Sequence, residues 1–174
     1  MNNNKYNVIS ELRALRPDRY LSLDEARVVA ERQAARLLEL LDVDIPVRVA
    51  PSDLTSRLRV VREKELPEHV AGSSHWTGTR WVISINSGNP KLRQRFTVFH
   101  ELHHILEHPF RRFDGEAIAE VVADHFAACV LMPKASVKAA WFARYVSRVL
   151  RPLACLCRAD LGFAAGVVDP GLLG

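Results

Sequence analysis

The chain has 174 residues, of which 48% are hydrophobic, and it carries a formal net charge of +4 at pH 7. This length fits a single domain over residues 1–174, and the apolar content is sufficient to build a core. Charges of both signs are scattered along the chain, which argues against direct nucleic-acid binding. We interpret two small basic groups as solvated faces: Arg13, Arg16 and Arg19, and Lys91, Arg93 and Arg95.

Cysteine content and hydropathy bear on the compartment. The three cysteines, Cys129, Cys155 and Cys157, are an odd number without a secretory leader, which argues against a disulfide framework. No apolar run reaches the length of a membrane span, so we expect a cytoplasmic protein. Cys155 and Cys157 are too close for a usual zinc-ribbon pair, and Cys129 lies in an alanine-rich stretch typical of a small buried side chain. We favour none of them as a metal ligand.

Residues 1–45 are predicted to form a helical support. A short helical segment over Val8–Leu15 precedes Pro17. Ser22 and Glu25 then form a capping box before an amphipathic helix that runs to about Leu41.

Residues 46–133 are predicted to hold a small twisted sheet followed by two functional helices. Short β-branched segments at Val47–Ala50 and Leu58–Val61 indicate strands. A hairpin follows, in which His75 and Trp76 begin the first arm and the second arm, Trp81–Asn86, alternates apolar and polar residues. We expect a mostly antiparallel sheet in which this arm is either an ordinary half-buried strand or an edge strand that binds an extended peptide. The predicted peptide contacts are Trp81, Ile83 and Ile85.

The motif H-E-x-x-H occupies positions 100–104 in a segment with strong helical periodicity. At 3.6 residues per turn, His100 and His104 lie one above the other, so both imidazoles can bind one tetrahedral Zn²⁺ ion. Glu101 lies beside them as the candidate catalytic base. The apolar residues occupy the other half of the helix, so that one side can pack into a core while the other lines a cleft. A surface helix with unrelated histidines is the alternative.

The boundaries and remaining histidines of this helix lead to further expectations. Asn89 is predicted as the N-cap and Pro90 as the first helical residue. His103 falls at the edge of the apolar half, and we assign it a structural role. No residue stands out as a hydrogen-bond donor to the transition state, for which His103, His108 and His125 stay open as candidates.

A second helix is predicted over Glu116–Leu131 and ends before Pro133. Glu120 and Asp124 share one of its faces with small residues, so the helix can approach the first closely. Glu120 is then the third zinc ligand, and a fourth position stays open to water. We expect Asp124 to accept a hydrogen bond from a ligand imidazole. Glu116 could compete with Glu120, and a pair of surface carboxylates is the alternative interpretation.

Together these elements predict an α+β fold. It consists of an N-terminal helix, the small sheet, the H-E-x-x-H helix and a Glu-bearing helix packed beside it. A C-terminal helix is predicted over Lys134–Leu150. Residues 153–174 have no assignable pattern.

Two segments resemble the ImmA/IrrE family of zinc metallo-endopeptidases. Arg95–His108 is similar to the family pattern R-F-T-x-x-H-E-L-G-H-x-x-x-H. Glu120–Pro133 is similar to E-x-x-A-x-x-F-A-x-x-L-x-M-P, in the same order and at the same spacing. His103 replaces the usual Gly of the first pattern, and Val130 replaces a Leu of the second.

The resemblance implies a zincin-like fold, a site and a substrate. By position, His100, His104 and Glu120 would be zinc ligands and Glu101 the catalytic base. The implied substrate is a helix-turn-helix repressor of a mobile element or stress regulon, supplied in trans and cut at one site. The rival prediction is a binding module that docks a regulator without cutting it, with zinc structural or absent.

Overall fold

The structure is a computed structural model that describes residues 8–42, 58–63, 66–110 and 115–144. In this part of the chain, helices precede and follow a small sheet, which confirms the predicted α+β class. In chain order the elements are α1 (Val8–Ala14), α2 (Leu23–Leu41), β1 (Leu58–Glu63), β2 (Gly72–Trp76), β3 (Trp81–Asn86), α3 (Lys91–Glu107), α4 (Glu116–Leu131) and α5 (Lys134–Arg144). A short 3₁₀ turn, His108–Phe110, follows α3.

The chain divides into two compact units, Met1–Lys134 and Ala135–Gly174. The first unit contains every element from α1 to α4, and the division into a single domain stays a prediction. Of the second unit, the structure describes only α5 as far as Arg144. Several predicted features lie outside the described residues: the strand Val47–Ala50, the end of the Lys134–Leu150 helix, the tail 153–174, Cys155, Cys157 and the side chain of Glu116.

α2 begins as the capping box predicts. The Ser22 hydroxyl accepts a hydrogen bond from the Glu25 backbone amide at 3.3 Å, and the Glu25 carboxylate accepts one from the Ser22 amide at 2.9 Å. Arg19 donates to the same carboxylate at 2.9 Å. The Arg19 hydrogen bond, followed by the backbone hydrogen bond of Ser22, lowers the pKa of Glu25 to about 2.

The first basic group lies partly inside the protein. Arg13 donates hydrogen bonds of 2.6 and 3.2 Å to carbonyl oxygens in the last turn of α3, where a helix has carbonyls without internal partners. Arg16 is only 5% exposed, forms an ion pair with Glu107 and lies over the ring of Phe110. The interpretation as a solvated face was therefore wrong for Arg13 and Arg16, because they fasten α1 to the end of α3.

The three described strands form one sheet in the order β1-β3-β2. β2 and β3 form the predicted antiparallel hairpin, with Trp76 opposite Trp81. Gly78 in its turn has a φ of +92°, a conformation that L side chains rarely adopt. β1 pairs with the other side of β3 in parallel, so the small sheet contains one pairing of each kind.

The prediction that Trp81–Asn86 is an edge strand was wrong. β3 is hydrogen-bonded on both sides, by β1 and by β2, so it has no free backbone groups to which a peptide could add. Ile83 and Ile85 are 0% and 2% exposed and belong to the core, and Trp81 is half-buried. Among the described strands, β2 is the edge on the side of α3.

α3 starts one residue later than predicted. Pro90 is the N-cap, and no side chain caps the helix. The entry is instead held by Gln94, whose side-chain amide donates to the carbonyl oxygens of Asn89 at 2.7 Å and Ser87 at 3.2 Å. A shift of one residue at a helix end leaves the helical faces unchanged.

α3 and α4 pack against each other through apolar residues, and their polar side chains meet beside this contact. Val98, Phe99 and Leu102 of α3 are at most 3% exposed. Ala123 and Ala127 of α4 are fully buried, and such small side chains let neighbouring helices approach closely.

Within the described residues no single helix is long and apolar enough to cross a membrane, and Ala117–Leu131 and Lys134–Arg144 meet that test only when taken together.

Candidate metal centre

The two histidines of the H-E-x-x-H motif meet Glu120 between α3 and α4. The Nε2 atoms of His100 and His104 lie 3.0 Å apart, and each lies 3.3 Å from an oxygen of the Glu120 carboxylate. A tetrahedral zinc ion with bonds of about 2.0–2.2 Å keeps such ligand atoms about 3.3 Å apart. The residues present therefore fit a zinc-type ion, and the structure brings together the three ligands that the sequence predicted.

Asp124 supports this group from outside. Its Oδ1 atom lies 2.8 Å from Nδ1 of His100, which is the contact predicted for it. When Nδ1–H donates to this carboxylate, the ring is held in the tautomer whose Nε2 lone pair is free to bind a metal. Because Asp124 lies one turn after Glu120, α4 carries both a candidate ligand and the support of another candidate ligand.

Glu101 is a buried carboxylate beside the three donors. It is only 8% exposed, and it lines the same cleft as His100 and Glu120. Burial raises the pKa of Glu101, and the negative charge of Glu120 adds to this. A hydrogen bond from Ser74 and the proximity of His100 act in the opposite direction. Glu101 therefore places a carboxylate that can accept and return a proton next to the three candidate metal ligands.

An open cleft of about 580 Å³ runs along the metal centre. This volume is in the range of ligand-binding clefts, so several side chains of a peptide can enter it. One wall is the start of β2 and the segment before it, and the other is α3. The lining residues are His69, Val70, Ala71, Gly72, Ser73, Ser74, Arg93, Phe96, Thr97, His100, Glu101, His104, Glu120 and Asp124.

The histidines proposed as transition-state donors lie elsewhere. His103 is 2% exposed and packs on the ring of Phe126, and burial lowers its pKa to about 3. The structural assignment of His103 agrees with this position, and its candidacy as a donor was wrong because its side chain is in the core. His108 packs against Trp81 and is not among the residues that line the cleft. His125 faces α2.

Sequence reasoning missed the contribution of β2. Gly72, Ser73 and Ser74 border the cleft, and Ser74 bonds to the catalytic candidate Glu101. The prediction had started the hairpin at His75, because three small residues carry no apolar alternation. A first arm about as long as Trp81–Asn86 would have paired Gly72 with Ile85 and placed Gly72–Ser74 in the predicted hairpin.

Comparison with protein families gives one finding. The model of the peptidase M78 family, described as the IrrE N-terminal-like domain, matches residues 56–164. The match covers more than half of the chain and includes the sheet, α3 and α4. Comparison with curated proteins gives no match.

Proposed function

The chain belongs to the peptidase M78 family, and from this premise we propose that it is a zinc-dependent endopeptidase. One observation carries the proposal. The three donors His100, His104 and Glu120 converge at the side of a cleft, and the buried carboxylate of Glu101 lies beside them. A binding module needs no proton acceptor in that position, whereas hydrolysis of a peptide bond does.

The roles of the side chains follow from this arrangement. His100, His104 and Glu120 would hold the ion, and Asp124 keeps the His100 ring in its binding orientation. A bound zinc ion would lower the pKa of a coordinated water and polarise the scissile carbonyl. Glu101 accepts a proton from the attacking water and then donates it to the leaving amine.

We place the peptide along the edge of β2. The cleft runs beside Gly72–Ser74. Among the described strands β2 pairs with β3 alone, so an extended chain can add to its other side. The hydrogen bond from Ser74 to Glu101 connects this wall to the proton acceptor. This placement keeps the predicted mode of binding and moves it from β3 to β2.

The proposed substrate is a helix-turn-helix repressor of a mobile element or stress regulon, supplied in trans in the cytoplasm. The resemblance of the two helical motifs to the ImmA/IrrE family supports this choice. The volume of the cleft suits a short extended segment, such as a linker between two folded domains. Cleavage there would release transcription, which is the outcome that the resemblance implies.

The proposal is tested with the full chain, reconstituted with zinc and incubated with a panel of purified helix-turn-helix repressors. We expect one cut, identified by mass spectrometry. Glu101→Gln should retain zinc but lower the cleavage rate by about 100-fold or more. Glu68→Gln, which changes an exposed carboxylate, is the matched control and should keep the wild-type rate.

Two results would contradict the proposal. Wild-type cleavage by Glu101→Gln would show that Glu101 is not the proton acceptor. A stable complex with an intact repressor, unchanged by the same substitution, would identify a docking module instead of a peptidase.

A further inference from the structure

A second group of metal-type donors lies on the other face of α4, toward α2. Nε2 of His125 lies 3.3 Å from Oε1 of Glu31, and Sγ of Cys129 lies 3.7 Å from the same nitrogen. The donor atoms of all three residues lie within 4.8 Å of one another. His125 and Cys129 are four residues apart, the spacing that lets His100 and His104 converge.

The distances agree with a tetrahedral ion. Zinc bonds of about 2.0–2.2 Å to nitrogen and oxygen and about 2.3 Å to sulfur separate N from O by about 3.3 Å and N from S by about 3.6 Å. The two observed distances match these values closely. We propose that Glu31, His125 and Cys129 form a second metal site, for a borderline divalent ion such as Zn²⁺, that fastens α2 to α4.

The surroundings of Glu31 allow one oxygen to bind an ion. Nζ of Lys134 lies 2.6 Å from Oε2, whereas Oε1 faces His125. The Lys134 side chain is 74% exposed, so solvent screens its positive charge from the site. Glu31 and His125 are about one-third exposed, which leaves water access to a fourth position. Burial raises the pKa of the Cys129 thiol, so an ion must displace its proton on binding.

The role of this site is structural. None of these three residues lines the cleft beside Glu101, and Glu101 is not part of this group. The competing explanation is a metal-free network, in which Lys134 and His125 pair with Glu31 and the Cys129 sulfur forms a hydrogen bond with His125. A bond from sulfur to an ion requires the Cys129 thiolate, so thiolate-to-metal absorption distinguishes the two explanations.

The test uses the full chain reconstituted with Zn²⁺ or Co²⁺ alone. The wild type should hold two ions, and the cobalt form should show thiolate-to-metal charge-transfer absorption in the near ultraviolet. Cys129→Ala should hold one ion and lose this absorption, and Glu31→Gln should also lose an ion without removing the sulfur. Cys155→Ser with Cys157→Ser is the matched control and should keep both the second ion and the absorption.

His104→Ala separates this proposal from the proposed function. It should remove the ion of the cleft but leave the thiolate absorption, since the cleft group contains no sulfur. A wild type whose cobalt form lacks the thiolate absorption, or a Cys129→Ala protein that retains two ions and the absorption, would overturn the proposal. Neither readout depends on peptide cleavage, so a failed cleavage assay would leave this result intact.

Discussion

The two faces of α4 carry donor groups with similar spacing but different surroundings. On the side of α3, Glu120 completes a group that opens on a cleft of about 580 Å³ and borders the buried Glu101. On the side of α2, His125 and Cys129 face Glu31, whose other oxygen is bound by an exposed lysine. Converging donors alone therefore do not distinguish the two groups. Under the proposed function, the adjoining cleft and the buried carboxylate of Glu101 set the first group apart.

A single helix can serve both groups because of its periodicity and its small residues. Glu120 and His125 are five positions apart and point about 140° away from each other. Ala123 and Ala127 are fully buried, and such small side chains let a neighbouring helix approach α4 closely. The two groups can therefore share a rigid support without sharing an ion.

The largest effect that tests this comparison is expected at Asp124. Asp124→Asn removes the charge that accepts from Nδ1 of His100, so the ring is no longer held in the binding tautomer. We expect zinc affinity of the cleft group or the cleavage rate to fall by about 10- to 100-fold, with no change in the group at Cys129. A competitive zinc titration measures both groups.

The matched control for Asp124 is the outer partner of the other group. Lys134→Met should leave cleavage unchanged, because Lys134 contacts Glu31 and not the cleft. Equal losses of cleavage in both variants would break the distinction between the two faces.

A smaller effect is expected where β2 meets α3. A Cβ atom at Gly72 would lie 2.5 Å from Cγ2 of Thr97 and 2.7 Å from the backbone oxygen of Ser84. Gly72→Ala should lower the free energy of unfolding by about 1–3 kcal/mol, because the backbone must shift to make room. Cleavage should fall as well, since the wall of the cleft moves.

Thermal and denaturant unfolding measure this change. Gly115→Ala is the control, because a Cβ there meets no atom within 4 Å. Thiolate–cobalt absorption in Gly72→Ala should match that of the wild type. Its loss would mean that the two faces of α4 are coupled.

Local patterns predicted the helices and the first donor group well. The capping box, the H-E-x-x-H spacing and the Glu120–Asp124 pair each involve residues within one or two turns, so helical periodicity is enough to place them. Contacts between residues more than 90 positions apart escaped prediction. Glu31 and His125 are 94 positions apart, and Arg16 and Glu107 are 91 apart.

The order of the strands in the sheet could not be predicted, for a related reason. The alternation in Trp81–Asn86 shows that one face is buried, but a strand with that pattern can be central or at the edge. Its central position depends on β1, which pairs with it in parallel from more than twenty residues earlier in the chain. The first basic group was misread likewise, since its partners in α3 are over 90 positions away.

The smallest effect is expected at the start of α2, which carries Glu31. Glu25→Gln keeps a side chain that suits a capping box but removes its charge. The folded-state pKa of Glu25 is lowered from 4.5 to about 2, chiefly by Arg19. The charge therefore stabilises the fold fully above about pH 4.5, and this contribution is lost as the pH falls toward 2.

Thermal unfolding of Glu25→Gln and the wild type should differ slightly near neutral pH and converge in acid. Both Arg19 and Glu25 are about half exposed, so solvent keeps the difference small. Asp24→Asn, which removes a charge from the same turn without touching the cap, is the control. Because Glu31 lies more than one turn after the cap, the second ion should remain bound in both variants. A loss of that ion in Glu25→Gln would show that the α2 face depends on its helix end, unlike the cleft face.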